Sequence, residues 1–138
     1  MPKQFWLNLP VKEISKSVEF FTKMGFSFNP QYPATPSSAC LMLGEKGVII
    51  MLFDEPAFKQ CIGGAAMELG KSTEVLLSID AQSKEEVDTM VQKAIDAGGT
   101  SNHKPSEMKG WMYGCVFTDI DGHKWNVLYM DMSKMQQG

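Results

Sequence analysis

The sequence predicts an α+β fold made of two β-α-β-β-β modules, and three observations carry that prediction. Apolar residues alternate with polar ones in short runs, which is the period of a strand buried on one face. In each half, one apolar run of helical spacing interrupts the alternation. A constant offset of 75 residues lays Cys40 on Cys115, Gly47 on Gly122 and Met51 on Asn126, which marks an internal duplication.

The first module, 1–54, opens with Leu7, Leu9 and Val11 alternating with Trp6, Asn8 and Pro10, so a strand is expected with the first set facing the core. Ser15 is expected to open a helix. Val18, Phe20, Phe21 and Met24 are its apolar stripe, and Gly25 stands where a left-handed cap would end it. Strands follow over Phe26–Asn29, Ala39–Leu43 and Val48–Phe53, the last two joined as a hairpin through Gly44-Glu45-Lys46-Gly47. From 55 to 72 the pattern lapses among Pro56, Gly63, Gly64 and Gly70, and a connector with room for one short helix is expected there.

The second module, 73–131, repeats the order. Glu74–Asp80 is a strand with Val75, Leu77 and Ile79 on one face. Ser83–Ala97 is a helix, opened by a capping box, Ser83-Lys84-Glu85-Glu86, and stopped by Gly98-Gly99. Thr100–His103, Tyr113–Thr118 and Lys124–Met130 complete the sheet, with a turn over 119–122 before the last strand and a short tail over 132–138. The first strands align at an offset of 68, Val11 on Ile79 and Trp6 on Glu74. Each half-sheet alone would leave a face and two edges bare, so the halves are expected to pair within a single domain, 1–138.

At 138 residues, 43% hydrophobic and 21% charged, the chain can bury the core of one domain, which excludes a disordered tail or a miniature scaffold. A net charge of −3 with no basic block excludes nucleic acid as a partner. All 13 cations are lysines, so a bound anion would meet no guanidinium fork. Cys40, Cys61 and Cys115 form no C-x-x-C pair and leave one over, which fits a reducing, cytoplasmic setting. The opening MPKQFWLNLPV is too short for a secretory segment, and no apolar run approaches the roughly 18 residues of a membrane span. The stretch Gly64–Ser72 has the wrong glycine spacing for a phosphate-binding loop and leads into a strand rather than a helix.

The two modules, the opening LPVKEISKSVEFFTKMGF and the closing DGHKWNVLYMD resemble the vicinal oxygen chelate superfamily: glyoxalase I, extradiol dioxygenases and the fosfomycin and bleomycin resistance proteins. The resemblance covers nearly the whole chain and is nearest to small bacterial members. It implies an incomplete barrel with the helices packed outside, and a homodimer with the modules paired either within one chain or by exchange between chains. For metal-dependent members it implies one ligand from the first and one from the last strand of each module, on a common concave surface. Carried over by position, these are Trp6, Met51, Glu74 and Asn126. Leu7, Leu9, Ile50, Leu52, Val75, Leu77, Trp125 and Val127 take the opposite parity. A divalent transition metal needs three or four strong donors, and this set offers one carboxylate, Glu74; an indole only donates, a thioether is soft and an amide is a weak ligand, so no metal site and no cofactor are predicted. Without arginine, the carboxylate clamp that resemblance to glyoxalase I would imply for glutathione is missing.

Glu74 is the candidate catalytic residue, a lone carboxylate that burial would turn into a base or a seat for a cationic group. Trp6, Asn8, Met51, Phe53, Glu74, Ser78 and Asn126 are the expected lining of a cleft for a small molecule. Trp111, Met112 and Tyr113, bracketed by Gly110 and Gly114, fit a flap over that cleft, or alternatively edge-strand packing or a dimer contact. Cys40 and Cys115 are expected as matching small core residues, and His123 as a turn residue. The function expected is metal-free binding of a small, partly apolar molecule in the manner of a resistance protein. The alternatives are a metal-dependent glyoxalase-like lyase or isomerase or an extradiol dioxygenase, and a dimeric interaction module.

Overall fold

The computed structural model describes residues 6–61 and 75–135. The chain divides into two compact units, Met1–Leu69 and Gly70–Gly138, meeting inside the expected connector. Each unit holds one four-stranded mixed sheet.

Unit 1 runs β1 (Trp6–Val11), α1 (Ile14–Lys23), β2 (Ser27–Phe28), β3 (Ser38–Leu43), β4 (Val48–Asp54) and α2 (Glu55–Cys61). Its strand order is β1-β4-β3-β2, with β1 parallel to β4 and the other pairs antiparallel. Leu9, Val11, Leu41, Ile50 and Leu52 are buried, as are Ile14, Phe20, Phe21 and Met24 on the helix side. Glu13, not Ser15, occupies the N-cap position, with no side-chain cap bond. Ile14 is the reason: it is only 4% exposed, and beginning the helix there buries it, which outweighs a serine cap worth about 1 kcal/mol. The C-terminus ends as the glycine predicted. Gly25 takes φ +88, its N–H donates to Thr22 O, and Phe26 N–H donates to Phe21 O. The Phe26 and Phe21 rings stack at 5.8 Å, the hydrophobic contact of that motif. The short helix expected in the connector is α2, capped by Asp54, whose Oδ1 accepts from Ala57 N–H.

Unit 2 runs β5 (Leu76–Asp80), α3 (Lys84–Asp96), β6 (Ser106–Met108), β7 (Met112–Thr118), β8 (Lys124–Met130) and α4 (Met132–Met135). Its strand order, β5-β8-β7-β6, repeats that of unit 1. Ser83 caps α3 by accepting from Glu86 N–H at 3.0 Å, and Gly98 and Gly99 close it through Ile95 O and Ala94 O. Val87, Val91 and Ala94 are buried, together with Leu77, Phe117, Trp125 and Val127 of the sheet. Phe117 and Trp125 stack with rings 6.2 Å apart.

Four expectations are corrected. The second strand of this module is Ser106–Met108; at 100–103 the chain makes only an isolated bridge, Thr100 to Thr118. The tail begins with a helical turn, α4. Asn8 pairs with Met51 and Ser78 with Asn126, so the first strands align at 70 rather than 68, and Trp6 corresponds to Leu76. Finally, the turn at 119–123 is one residue longer than that at 44–47. Cys40 therefore pairs with Met51 while Cys115 pairs with Val127. One extra residue exchanges the faces of a strand. Both cysteines are buried, at 2% and 7% exposure, but on opposite faces of their sheets. No helix among the described residues is long and apolar enough to cross a membrane.

Candidate functional site

In unit 1 one face of the sheet carries the buried set Leu9, Val11, Leu41, Ile50 and Leu52, and α1 packs against β2, β3 and β4. The opposite face is set by register. Asn8 and Cys40 both pair with Met51, and Pro10 pairs with Phe53. Trp6, Asn8, Met51 and Phe53, all expected as lining, therefore share one face. Trp6 is 50% exposed, Asn8 is exposed, and Met51 and Phe53 are half-buried. Cys40 lies on this face too. Burial pushes its thiol pKa up, so it stays protonated and is a poor nucleophile.

In unit 2 Ser78 and Asn126 are direct partners on the face opposite Leu77, Phe117, Trp125 and Val127. Leu76, Val116, Thr118 and Lys124 share their face. Lys124 Nζ donates to Thr118 Oγ1 at 2.7 Å, placing a cation two residues from Asn126. The residue reading passed over Lys124, although the alternation that selects Asn126 selects Lys124 equally. Glu74, the expected catalytic carboxylate, lies outside the described residues.

Trp111 and Tyr113 are not with this group. Tyr113, Cys115 and Phe117 alternate onto the α3 side of β7, and the Tyr113 hydroxyl donates to Asp88 Oδ1 on α3 at 2.6 Å. β7 lies between β8 and β6, so 112–113 form an interior strand rather than a flap. Trp111 lines a cavity of about 310 Å³ with Lys84, Glu107, Tyr129 and Lys134. An ion pair joins Lys84 to Glu107, and the Lys84 ammonium stands 5.7 Å from the centre of the Tyr113 ring. His123 is a turn residue, its N–H donating to Asp119 Oδ1.

The Asp88 bond, more than burial or neighbouring charge, pushes the Tyr113 pKa up to about 12. A group raised in the folded state stabilises below its unfolded pKa of about 10 and loses that stabilisation as pH climbs through the folded value. Tyr113→Phe should therefore differ from the parent in stability below about pH 10 and converge with it toward pH 12. Urea unfolding at a series of alkaline pH values measures this. A constant gap across the range would refute the assignment.

Among the described residues no group of three or more His, Cys, Asp or Glu could hold a metal ion. Trp6, Met51 and Asn126 offer an indole, a thioether and an amide. An indole N–H cannot ligate and the other two are poor partners for a divalent cation; with Glu74, outside the described residues, as the one carboxylate of the four expected positions, the set falls short of the three or four strong donors a divalent transition metal needs.

A family model described as the Glyoxalase/Bleomycin resistance protein/Dioxygenase superfamily matches residues 3–127. No curated protein matches the chain. Among solved structures, a hypothetical protein from S. aureus is similar at 29% identity and TM-score 0.81, covering 94% of each chain. A glyoxalase/bleomycin resistance protein/dioxygenase family enzyme from Burkholderia phytofirmans PsJN is similar at 22% identity and TM-score 0.76, covering 91% of this chain and 96% of that one. The fosfomycin resistance protein FosX from Listeria monocytogenes is similar at 15% identity and TM-score 0.72, covering 100% and 99%. The last two likenesses are of fold.

Proposed function

The chain belongs to the glyoxalase/bleomycin resistance protein/dioxygenase superfamily, and from that membership we propose that it binds a small, partly apolar molecule without a metal, sequestering it. The observation that supports this most is the donor set. Where metal-dependent relatives are expected to place ligands, Trp6, Met51 and Asn126 supply apolar surface and one amide, and Glu74 a single carboxylate, short of the three or four strong donors a divalent transition metal needs. In unit 1 a large aromatic and a thioether share a face with Asn8, which is the chemistry of a small-molecule site, and in unit 2 Ser78 and Asn126 offer polar groups of the same kind. Trp6 is the side chain with most to gain, because half of its surface is open to a ligand.

Protein purified without chelator should contain no stoichiometric zinc, nickel, manganese or iron. Native mass spectrometry of the same preparation reports metal, retained small molecule and subunit number together. In a panel of aromatic and heteroaromatic small molecules followed by tryptophan fluorescence, binders should lose about tenfold or more in affinity to Trp6→Ala, and chelator should leave their affinity unchanged. One tightly held divalent ion per chain would overturn the reading in favour of a metal-dependent lyase, isomerase or dioxygenase.

A further inference from the structure

The β6–β7–β8 register places Met108 opposite Met112 and Met112 opposite Met130. Three thioethers therefore stand in one row across three adjacent strands. Directly opposed residues have Cβ atoms about 4.5–5.5 Å apart and project from the same face. Methionine is unbranched with three rotatable bonds, so the two outer sulfurs can lean toward the central one.

Packing does not account for the row. Met108 is 37% exposed and Met130 41%, whereas methionines recruited to fill a core are covered. Their surroundings on the same face are also specific. The next row is Ser106, Gly114 and Leu128; an ideal Cβ on Gly114 would lie 2.5 Å from Leu128 Cδ2, so the leucine side chain lies over the glycine. Neither row contributes a carboxylate, imidazole or amine, although Met112 also borders the cavity that Lys84, Glu107 and Asp131 line. Met132, 57% exposed, opens the helical turn that follows. Thioethers are soft donors that favour copper(I)-like ions, and a hard cation would find only the Ser106 hydroxyl among the side chains of these rows.

We propose that Met108, Met112 and Met130 form a binding site for one soft monovalent cation, copper(I) or its redox-inert counterpart silver(I). The site is separate from the small-molecule reading. It lies four residues along β8 from Asn126, roughly 13 Å at strand rise, and stands or falls independently. A thioether carries no proton near neutrality, so binding here neither releases protons nor weakens in mild acid. That distinguishes it from thiolate or imidazole ligation, which requires deprotonation.

The test is titration of the full chain with silver(I), with methionine methyl groups labelled for NMR and Cys61→Ser introduced to remove one competing thiol. The expected result is joint movement of the Met108, Met112 and Met130 methyl signals, saturating at one equivalent, with the same affinity at pH 8 and pH 5. Met112→Leu keeps the side-chain volume and should lower the affinity at least about tenfold, equivalent to about 1.4 kcal/mol; Met130→Leu should act in the same direction. The methyl spectrum of each variant before silver reports that it is folded. The proposal is overturned by silver that moves other methionines instead, by an affinity unchanged in both leucine variants, or by one that collapses at pH 5 as thiolate binding would.

Discussion

Asp119→Ala should lower the stability of unit 2 by about 4 kcal/mol, a large share of the roughly 5–15 kcal/mol that holds a domain folded. Asp119 is 5% exposed and its two oxygens serve three donors. Oδ1 accepts from Asp121 N–H at 2.9 Å and His123 N–H at 3.0 Å; Oδ2 accepts from the Trp125 indole N–H at 3.0 Å. The part-buried His123 N–H can gain water when the carboxylate is removed, but Asp121 is 5% exposed and Trp125 fully buried, and losing the acceptor of a buried donor such as the indole N–H costs about 1–3 kcal/mol by itself. Asp119→Asn retains acceptor capacity for part of the set and should cost about half as much. A double-mutant cycle isolates the indole bond. Trp125→Phe should cost about 1–2 kcal/mol less in the Asp119→Ala background than alone. Urea denaturation provides the values, and an Asp119→Ala loss below 1 kcal/mol would show that the carboxylate does not organise the turn.

The same turn explains where the sequence was legible and where it was not. Alternation in LNLPV and KWNVLYM assigned Leu9, Val11, Trp125 and Val127 to one side and Trp6, Asn8 and Asn126 to the other, because a half-buried strand writes its burial in a period of two. Gly25, Ser83 and Gly98 were readable as helix punctuation, since each meets a local backbone need that few residues satisfy. The constant 75-residue offset conceals the one-residue lengthening at 119–123: Cys40 pairs with Met51, whereas Cys115 pairs with Val127 rather than Asn126 and so takes the other face of its sheet. That reversal is legible in part: Tyr113, Cys115 and Phe117 alternate with Gly114, Val116 and Thr118, which already sets Tyr113 apart from Asn126. The strand at 106–108 left no such trace, being a short edge strand with all its residues exposed and no apolar period. Lys124 is no metal-ligand type and belongs to no motif, so strand parity alone places it on the Asn126 face.

Gly114→Ala should cost unit 2 about 3 kcal/mol, at the upper end of what one added methyl group does in a packed interior. The new Cβ would sit 2.5 Å from Leu128 Cδ2 and 2.6 Å from the Val127 carbonyl oxygen. The leucine methyl can rotate away, whereas the carbonyl belongs to the β7–β8 ladder and moves only if the two strands part. Leu128→Ala in the same chain should therefore recover at most about a third of the loss, because the backbone contact remains. Val116→Ala, two residues along and 41% exposed, is the matched control and should change stability by about 0.5 kcal/mol or less. Parting the strands also draws Met112 away from Met130, so Gly114→Ala should weaken silver(I) binding without removing a sulfur. A variant that loses stability yet keeps the parent affinity for silver would show that the three thioethers do not depend on this register, and that the row is not what holds the ion.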